Sequence, residues 1–174
     1  CIDGSFWTLD ANKGELTRFE FVSDRDSLLR AEAISFDKDS ILRALDFVAF
    51  NDTTFLIPDY SGDSRFCWVN RQGKFLKKSG VIPSLNEEAL KEARPALAQA
   101  WRSFIDYNPH NGVLVAATQL GEVLEIYNLQ NGFHRVCLGP KGEPEFKLAG
   151  GYAIPDGIMG CLLYTSPSPR DGAT

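Results

Sequence analysis

The sequence predicts an all-β protein made of repeated four-stranded antiparallel units, with one helical insertion around residues 84–102. Three observations lead to this prediction. Short runs rich in aromatic and β-branched residues alternate with Gly, Asn and Asp, which is typical of strands joined by tight turns. Similar runs recur at intervals of about 40 to 60 residues. A single segment has the periodicity of a helix.

Three stretches share the order strand, glycine-containing turn, strand. They are "GSFWTLDANKGELTRFEF" (4–21), "DTTFLIPDYSGDSRFCWVN" (52–70) and "NGVLVAATQLGEVLEIYNL" (111–129), with turn glycines Gly14, Gly62 and Gly121. The second and third stretches are preceded by strands that match each other, "LDFVAFND" (45–52) and "SFIDYNPH" (103–110). Each complete unit therefore contains four strands joined by hairpins.

A second alignment of the repeats competes with this one. Gly14, Gly73 and Gly132 are separated by 59 and 59 residues, which is a regular period. The letters from Gly14, "GELTRF", nevertheless match "GEVLEI" from Gly121 more closely. We therefore align Gly14 with Gly62 and Gly121, at spacings of 48 and 59, and attribute the extra 11 residues to an insertion.

The insertion is the helical segment "PSLNEEALKEARPALAQAWRS" (83–103). Ser84 and Glu87 have the spacing of a capping box. Apolar residues recur at every fourth position: Leu85, Ala89, Ala93, Leu97 and Trp101. Pro95 lacks the N–H that a helix interior requires, so we expect a break at Arg94 and a second short helix from Pro95. We expect this pair to fill the space between two repeats; a gating or binding role is the alternative.

Four-stranded sheets that repeat in this way are typical of a β-propeller, whose blades pack face to face around a central axis. The sequence thus predicts a partial β-propeller over residues 1–160. Its blade-like units are about 1–40, 41–82 and 102–140, with the start of a fourth from about 151. The competing fold is a β-sandwich, which explains the strands but not the repeated turn positions.

Composition narrows the classes of partner. The net charge is −5 and the isoelectric point is near 5.1, so we expect no nucleic-acid partner. No run approaches the roughly 20 apolar residues of a membrane span. The four cysteines have no zinc spacing, and His110 and His134 lack partners at metal or triad spacing. We therefore predict no metal, no cofactor and no catalytic residue.

Polar residues on two matching turns form a candidate binding site. The stretches "IPDYSGDSR" (57–65) and "AATQLGE" (116–122) occupy the same turn in adjacent units. The candidate residues are Asp59, Tyr60, Arg65, Gln119 and Glu122. They would cluster on one face, near a central opening of the kind where ligands bind.

A structural interpretation of the first turn is the alternative. Asp59 and Asp63 have the positions of Asx-turn residues, and Arg65 could pair with both carboxylates. In that case these residues only support the turn.

Two segments give the sequence a family resemblance. "RPALAQAWRSFIDYNPHNGVLVAATQLGEVLEIYNL" (94–129) and "GPKGEPEFKLAGGYAIPDGIMG" (139–160) resemble the TolB-like six-bladed propeller proteins of Gram-negative bacteria. The resemblance covers about residues 1–160. It implies a six-bladed propeller without established activity, located outside the cytoplasm in the periplasm or outer envelope and often lipid-anchored.

The last 14 residues, 161–174, differ in character from the rest of the sequence. "CLLYTSPSPRD" (161–171) resembles the in-frame translation of a transposase-type sequencing adapter. We therefore expect residues 161–174 to be a non-native, adapter-derived tail.

Two hypotheses for function follow. The first is an exported β-propeller that serves as a binding or scaffold protein, with a protein, peptide or glycan as its partner. The alternative is a propeller-type hydrolase or lyase with a site at the central opening.

Overall fold

A computed structural model describes residues 5–22, 27–149 and 152–156. Within these ranges the strands form four separate antiparallel sheets, and each sheet contains strands that are consecutive in the chain. The prediction of an all-β fold with four-stranded antiparallel units and a helical insertion is confirmed. The predicted adapter-derived tail lies outside the described residues.

The first sheet has three strands, β1 (Phe6–Asp10), β2 (Glu15–Val22) and β3 (Ser27–Ser35). The second has four, β4 (Val48–Asn51), β5 (Thr54–Pro58), β6 (Phe66–Asn70) and β7 (Phe75–Ser79). Two helices follow, α1 (Glu87–Glu92) and α2 (Arg94–Ala100). The third sheet has β8 (Ser103–Asn108), β9 (Val113–Thr118), β10 (Val123–Asn128) and β11 (Phe133–Leu138). The fourth pairs β12 (Phe146–Ala149) with β13 (Tyr152–Pro155).

The sheets pack face to face, and β5 shows how. Phe55 and Ile57 pack in a core shared with the first sheet, whereas Leu56 packs in a core shared with the third. Successive side chains of a strand point to opposite faces, so a strand covered on both faces reads as an unbroken apolar run. The letters "FLI" therefore indicate a sheet sandwiched between two neighbours.

The alignment of Gly14 with Gly62 is wrong. The N–H of Phe36 donates to the carbonyl of Gly14 at 2.8 Å, and the N–H of Asp37 donates to the carbonyl of Gly73 at 3.2 Å. The turns at Gly14 and Gly73 thus lie at the same end of the sheets, while Gly62 lies at the opposite end of β6. Apolar and polar residues alternate in both strands of every hairpin, so this pattern does not reveal at which end of the sheet a turn lies.

The predicted capping box is also wrong. The N-cap of α1 is Asn86, whose Oδ1 accepts the N–H of Ala89 at 2.9 Å. Ser84 instead donates its hydroxyl to Glu143 at 2.5 Å. Both Ser84 and Asn86 have side chains suited to a cap, and the contact with Glu143 decides between them.

The break between the helices is close to its predicted position, because Ala93 ends α1 and precedes α2, with Pro95 in the first turn of α2. The predicted apolar face is buried except for Leu85, which is 79% exposed because it precedes the helix. The buried face packs with Val123 and Phe146. The helices thus fill the space between the third and fourth sheets.

Two glycines with nearly the same backbone angle allow a test of this packing. Gly121 has φ +66°, and a Cβ there would lie 2.6 Å from the backbone nitrogen of Pro144. Gly14 has φ +64° and open space around it. Alanine costs about 1 kcal/mol at either site because of the left-handed backbone. We expect Gly121→Ala to cost clearly more than Gly14→Ala in urea unfolding. Equal losses would show that the loop around Pro144 does not pack there.

Candidate functional site

The five predicted site residues lie on two turns but do not form one cluster. The N–H of Asp59 donates to the carbonyl of Arg65 at 3.0 Å, across the mouth of the β5–β6 turn. Gln119 donates its N–H to the carbonyl of Arg102 at 2.7 Å, and Glu122 accepts the N–H of Lys141 at 3.1 Å. Among the described residues, no hydrogen bond or ion pair joins Gln119 or Glu122 to the β5–β6 turn.

The carboxylate of Asp59 belongs to a network that holds the β5–β6 turn. Its two oxygens accept the N–H of Ser61 at 3.1 Å and the hydroxyl of Ser61 at 2.9 Å. Lys78 reaches across from β7 and places its Nζ 3.1 Å from Asp59 and 2.8 Å from Asp63. Asp59 therefore forms the Asx-turn of the structural interpretation, with Lys78 as the cation that pairs with it.

Arg65 pairs with Glu125 and not with the aspartates of its own turn. Its Nε and Nη2 donate to Oε2 of Glu125 at 2.8 and 2.6 Å, and Nη2 also donates to the hydroxyl of Ser103 at 2.6 Å. The two side chains are 1% and 0% exposed. The ion pair therefore links the second sheet to the third through their shared core.

Tyr127 and His134 complete the surroundings of Glu125. The hydroxyl of Tyr127 donates to Oε1 of Glu125, and the imidazole of His134 stacks on the Tyr127 ring at 4.1 Å with an interplanar angle of 5°. Burial, together with the negative charge of Glu125, raises the pKa of Tyr127 far above its usual range. Tyr127 therefore keeps its proton and acts as a donor to Glu125.

Tyr60 lies near the same group. It is buried, and burial raises its pKa to about 12, although the nearby positive charge of Arg65 works in the opposite direction. The structure thus brings Tyr60 and Arg65 together, in the core and away from the surface.

The sequence prediction missed Glu125, although a signal was present. In β10, Val123, Glu125 and Tyr127 alternate with residues on the other face, and all three are buried. A charged residue in a buried alternating position requires a partner of opposite charge. Arg65 is 60 positions away, so the sequence could not identify it.

A cavity between the first strands of the sheets is a different kind of site. β4 and β8 are edge strands, and the carboxylate of Asp46, just before β4, accepts the N–H of Ile105 in β8 at 2.7 Å. Beside this link lies a cavity of about 380 Å³. Its lining includes aromatic and polar side chains, namely Ser5, Phe6, Trp7, Phe47, Asp106 and Tyr107. The sequence prediction did not single out these residues.

Metal sites and membrane-spanning helices were searched for in the part of the chain that the structure describes. There, no group of three or more His, Cys, Asp or Glu side chains is arranged to hold a metal ion. No described helix has the length and apolar character needed to cross a membrane.

Replacing Glu125 tests the buried ion pair. Glu125→Gln keeps the shape but leaves Arg65 without a carboxylate in the core, and we expect a loss of about 3–5 kcal/mol in the free energy of unfolding. Glu87→Gln is the matched control, because Glu87 pairs with Lys91 at 82% and 74% exposure and such pairs contribute little. Similar small losses for both variants would contradict the role of the pair.

Asp46 makes stability depend on pH. Burial raises its pKa above the ordinary aspartate value of 3.8, more than the N–H groups of Ile105 and Phe47 lower it, and the charge of Asp106 adds to the rise. The folded state thus favours protonated Asp46, so its contribution to stability is greatest at low pH and falls as pH rises through the raised pKa. We expect the stability difference between the unchanged protein and Asp46→Asn to decrease with pH in urea titrations. A difference that increases would contradict this.

The chain is similar to several solved structures. A candidate 6-phosphogluconolactonase from Bacteroides uniformis is 15% identical, with a TM-score of 0.44 over 84% of this chain and 41% of that one. A functionally unknown protein from Desulfotomaculum acetoxidans is 11% identical, with a TM-score of 0.42 over 78% and 38%. Kuenenia stuttgartiensis hydrazine synthase is 12% identical, with a TM-score of 0.38 over 82% and 38%. The chain thus spans about two fifths of the solved structures it matches.

None of the curated proteins compared with the chain matches it. A family model does, and it covers nearly the whole chain. The match agrees with the family resemblance of the sequence and with sheets of consecutive antiparallel strands packed face to face. The chain therefore belongs to the TolB-like 6-blade propeller-like family, whose model it matches over residues 1–164.

Proposed function

We propose that the protein is an exported propeller that binds a protein, peptide or glycan and acts as a binding or scaffold protein. The cavity between the first strands is the observation that carries this proposal. Its volume of about 380 Å³ is in the range of ligand pockets, which combine apolar and aromatic walls with a few polar groups. In a propeller the blades surround a central channel, so a cavity between first strands is accessible to a ligand entering there.

A location in the periplasm or outer envelope, with a lipid anchor in the full-length protein, is part of this proposal. Family membership supports it, because the resemblance implies export. A scaffold in the cell envelope would use the same surface to hold a partner.

A second candidate is a hydrolase or lyase acting at the central opening. The observation in its favour is the pair of carboxylates Asp46 and Asp106, since the charge of Asp106 contributes to the raised pKa of Asp46. A buried carboxyl group with a raised pKa can serve as a proton donor. Against this candidate, both oxygens of Asp46 accept backbone N–H groups, from Phe47 and Ile105.

The test is a ligand screen with the full-length protein, using glycan arrays and pull-down from envelope extracts. We expect a ligand with micromolar affinity, and we expect Tyr107→Ala in the cavity to weaken its binding at least about tenfold. Phe104→Ala is the matched control, because Phe104 is an exposed aromatic of the same strand that does not line the cavity.

The absence of any ligand at micromolar concentration would refute the proposal, as would equal effects of the two variants. Turnover of a bound glycan or peptide that is lost in Asp106→Asn would favour the enzyme.

A further inference from the structure

We propose that the cavity between the first strands recognises an alkylammonium group, such as the side chain of lysine. This inference rests on the proposed function and names the chemistry of its ligand. It follows from the charge of the cavity, its aromatic walls and the hydrogen bonds of Asp106.

Asp106 gives the lining of the cavity a negative charge. Asp106 is exposed and lines the cavity, and no Lys or Arg among the described residues forms an ion pair with it. Among the described residues, the donors to the neighbouring Asp46 are the backbone N–H groups of Phe47 and Ile105. By contrast, the buried carboxylate of Asp59 has its own cation in Lys78. A ligand cation would therefore pair with Asp106 as Lys78 pairs with Asp59.

The walls of the cavity suit a cation with an alkyl chain. Tyr107, Phe47 and the 48% exposed Phe6 all line it. Aromatic faces attract cations, and aromatic rings also pack with the methylene groups of a lysine side chain. The protein already uses this contact twice at its surface, with Arg71 at 5.0 Å from the Trp7 ring and Lys77 at 4.7 Å from the Trp68 ring. Since Arg71 occupies Trp7, the ligand contact is assigned to Tyr107 and Phe47.

The hydrogen bonds of Asp106 favour an ammonium over a guanidinium. Its Oδ1 accepts the N–H of Tyr107 at 2.9 Å, which leaves Oδ2 for a ligand. A guanidinium gains most from a carboxylate that offers both oxygens side by side, whereas an ammonium is a compact charge that one oxygen can satisfy. The lining residues that the structure describes include no Lys or Arg, so they do not favour an anionic ligand.

The experiment compares matched probes on the full-length protein. Three probes are the Nα-acetyl methylamides of lysine, of its uncharged analogue norleucine and of arginine. The other two are n-butylammonium and a tetrapeptide in which one lysine is the only charged side chain. Binding is followed by isothermal titration and by NMR shifts of the aromatic side chains. We expect the lysine compound to bind at least about tenfold more tightly than norleucine, with arginine weaker than lysine.

Two variants assign the effect to Asp106. Asp106→Asn keeps the acceptor for the Tyr107 N–H but removes the charge, so we expect the preference for lysine over norleucine to disappear. Asp39→Asn removes an exposed carboxylate outside the cavity and should keep the preference. Equal affinities for lysine and norleucine in the unchanged protein overturn the inference, and so does a preference that survives Asp106→Asn. Thermal unfolding of both variants shows that they are folded.

The outcomes separate this inference from the proposed function. If a glycan or peptide binds and Tyr107→Ala weakens it, but lysine and norleucine bind equally, the ammonium inference fails and the binding function stands. If no ligand and no probe binds, both fail. Tight binding of butylammonium identifies a small amine as the source of the group, and binding only of the lysine peptide identifies a protein or peptide.

Discussion

The buried ion pair between Arg65 and Glu125 is the interaction on which the arrangement of the sheets depends. Removing a charge from water is costly, and a folded protein tolerates it only where a partner of opposite charge and further hydrogen bonds are in place. Ser103 and Tyr127 supply those bonds. Phe66 packs against the guanidinium on the other side, with its ring centre 5.4 Å away. The second and third sheets must therefore meet in one relative position.

This constraint extends to the cavity. The same two sheets are joined a second time by Asp46, which binds the backbone of β8 through Ile105. With one link in the core and another between the edge strands, β4 and β8 cannot slide past each other without breaking both. Tyr107 and Phe47 are thereby held in place as walls. A cavity with fixed walls binds with less loss of conformational freedom than one that must form around its ligand.

Much of the fold could be predicted because it rests on local chemistry. The alternation of apolar and polar residues predicts strands. The turns are stabilised by contacts between residues a few positions apart; Asn51, for example, accepts the N–H of Thr53 at 2.9 Å. The wrong predictions concern choices between local alternatives. Ser84 and Asn86 are both suitable helix caps, and Glu143, more than 50 residues later, decides between them. Of the candidate residues, Tyr60 and Arg65 lie together in the core, but the sequence prediction did not include Glu125, the partner of Arg65.

By itself the sequence determined the strands, the hairpins, the all-β class and the family, because these depend on neighbours along the chain and on repeated patterns. Only the tertiary structure decided which end of the sheets each turn occupies and which carboxylate pairs with Arg65. It also brought Asp106, Phe47 and Tyr107 into the lining of one cavity. Coulombic and packing energies depend on distances in space, and those distances follow from how the sheets stack rather than from separation along the chain.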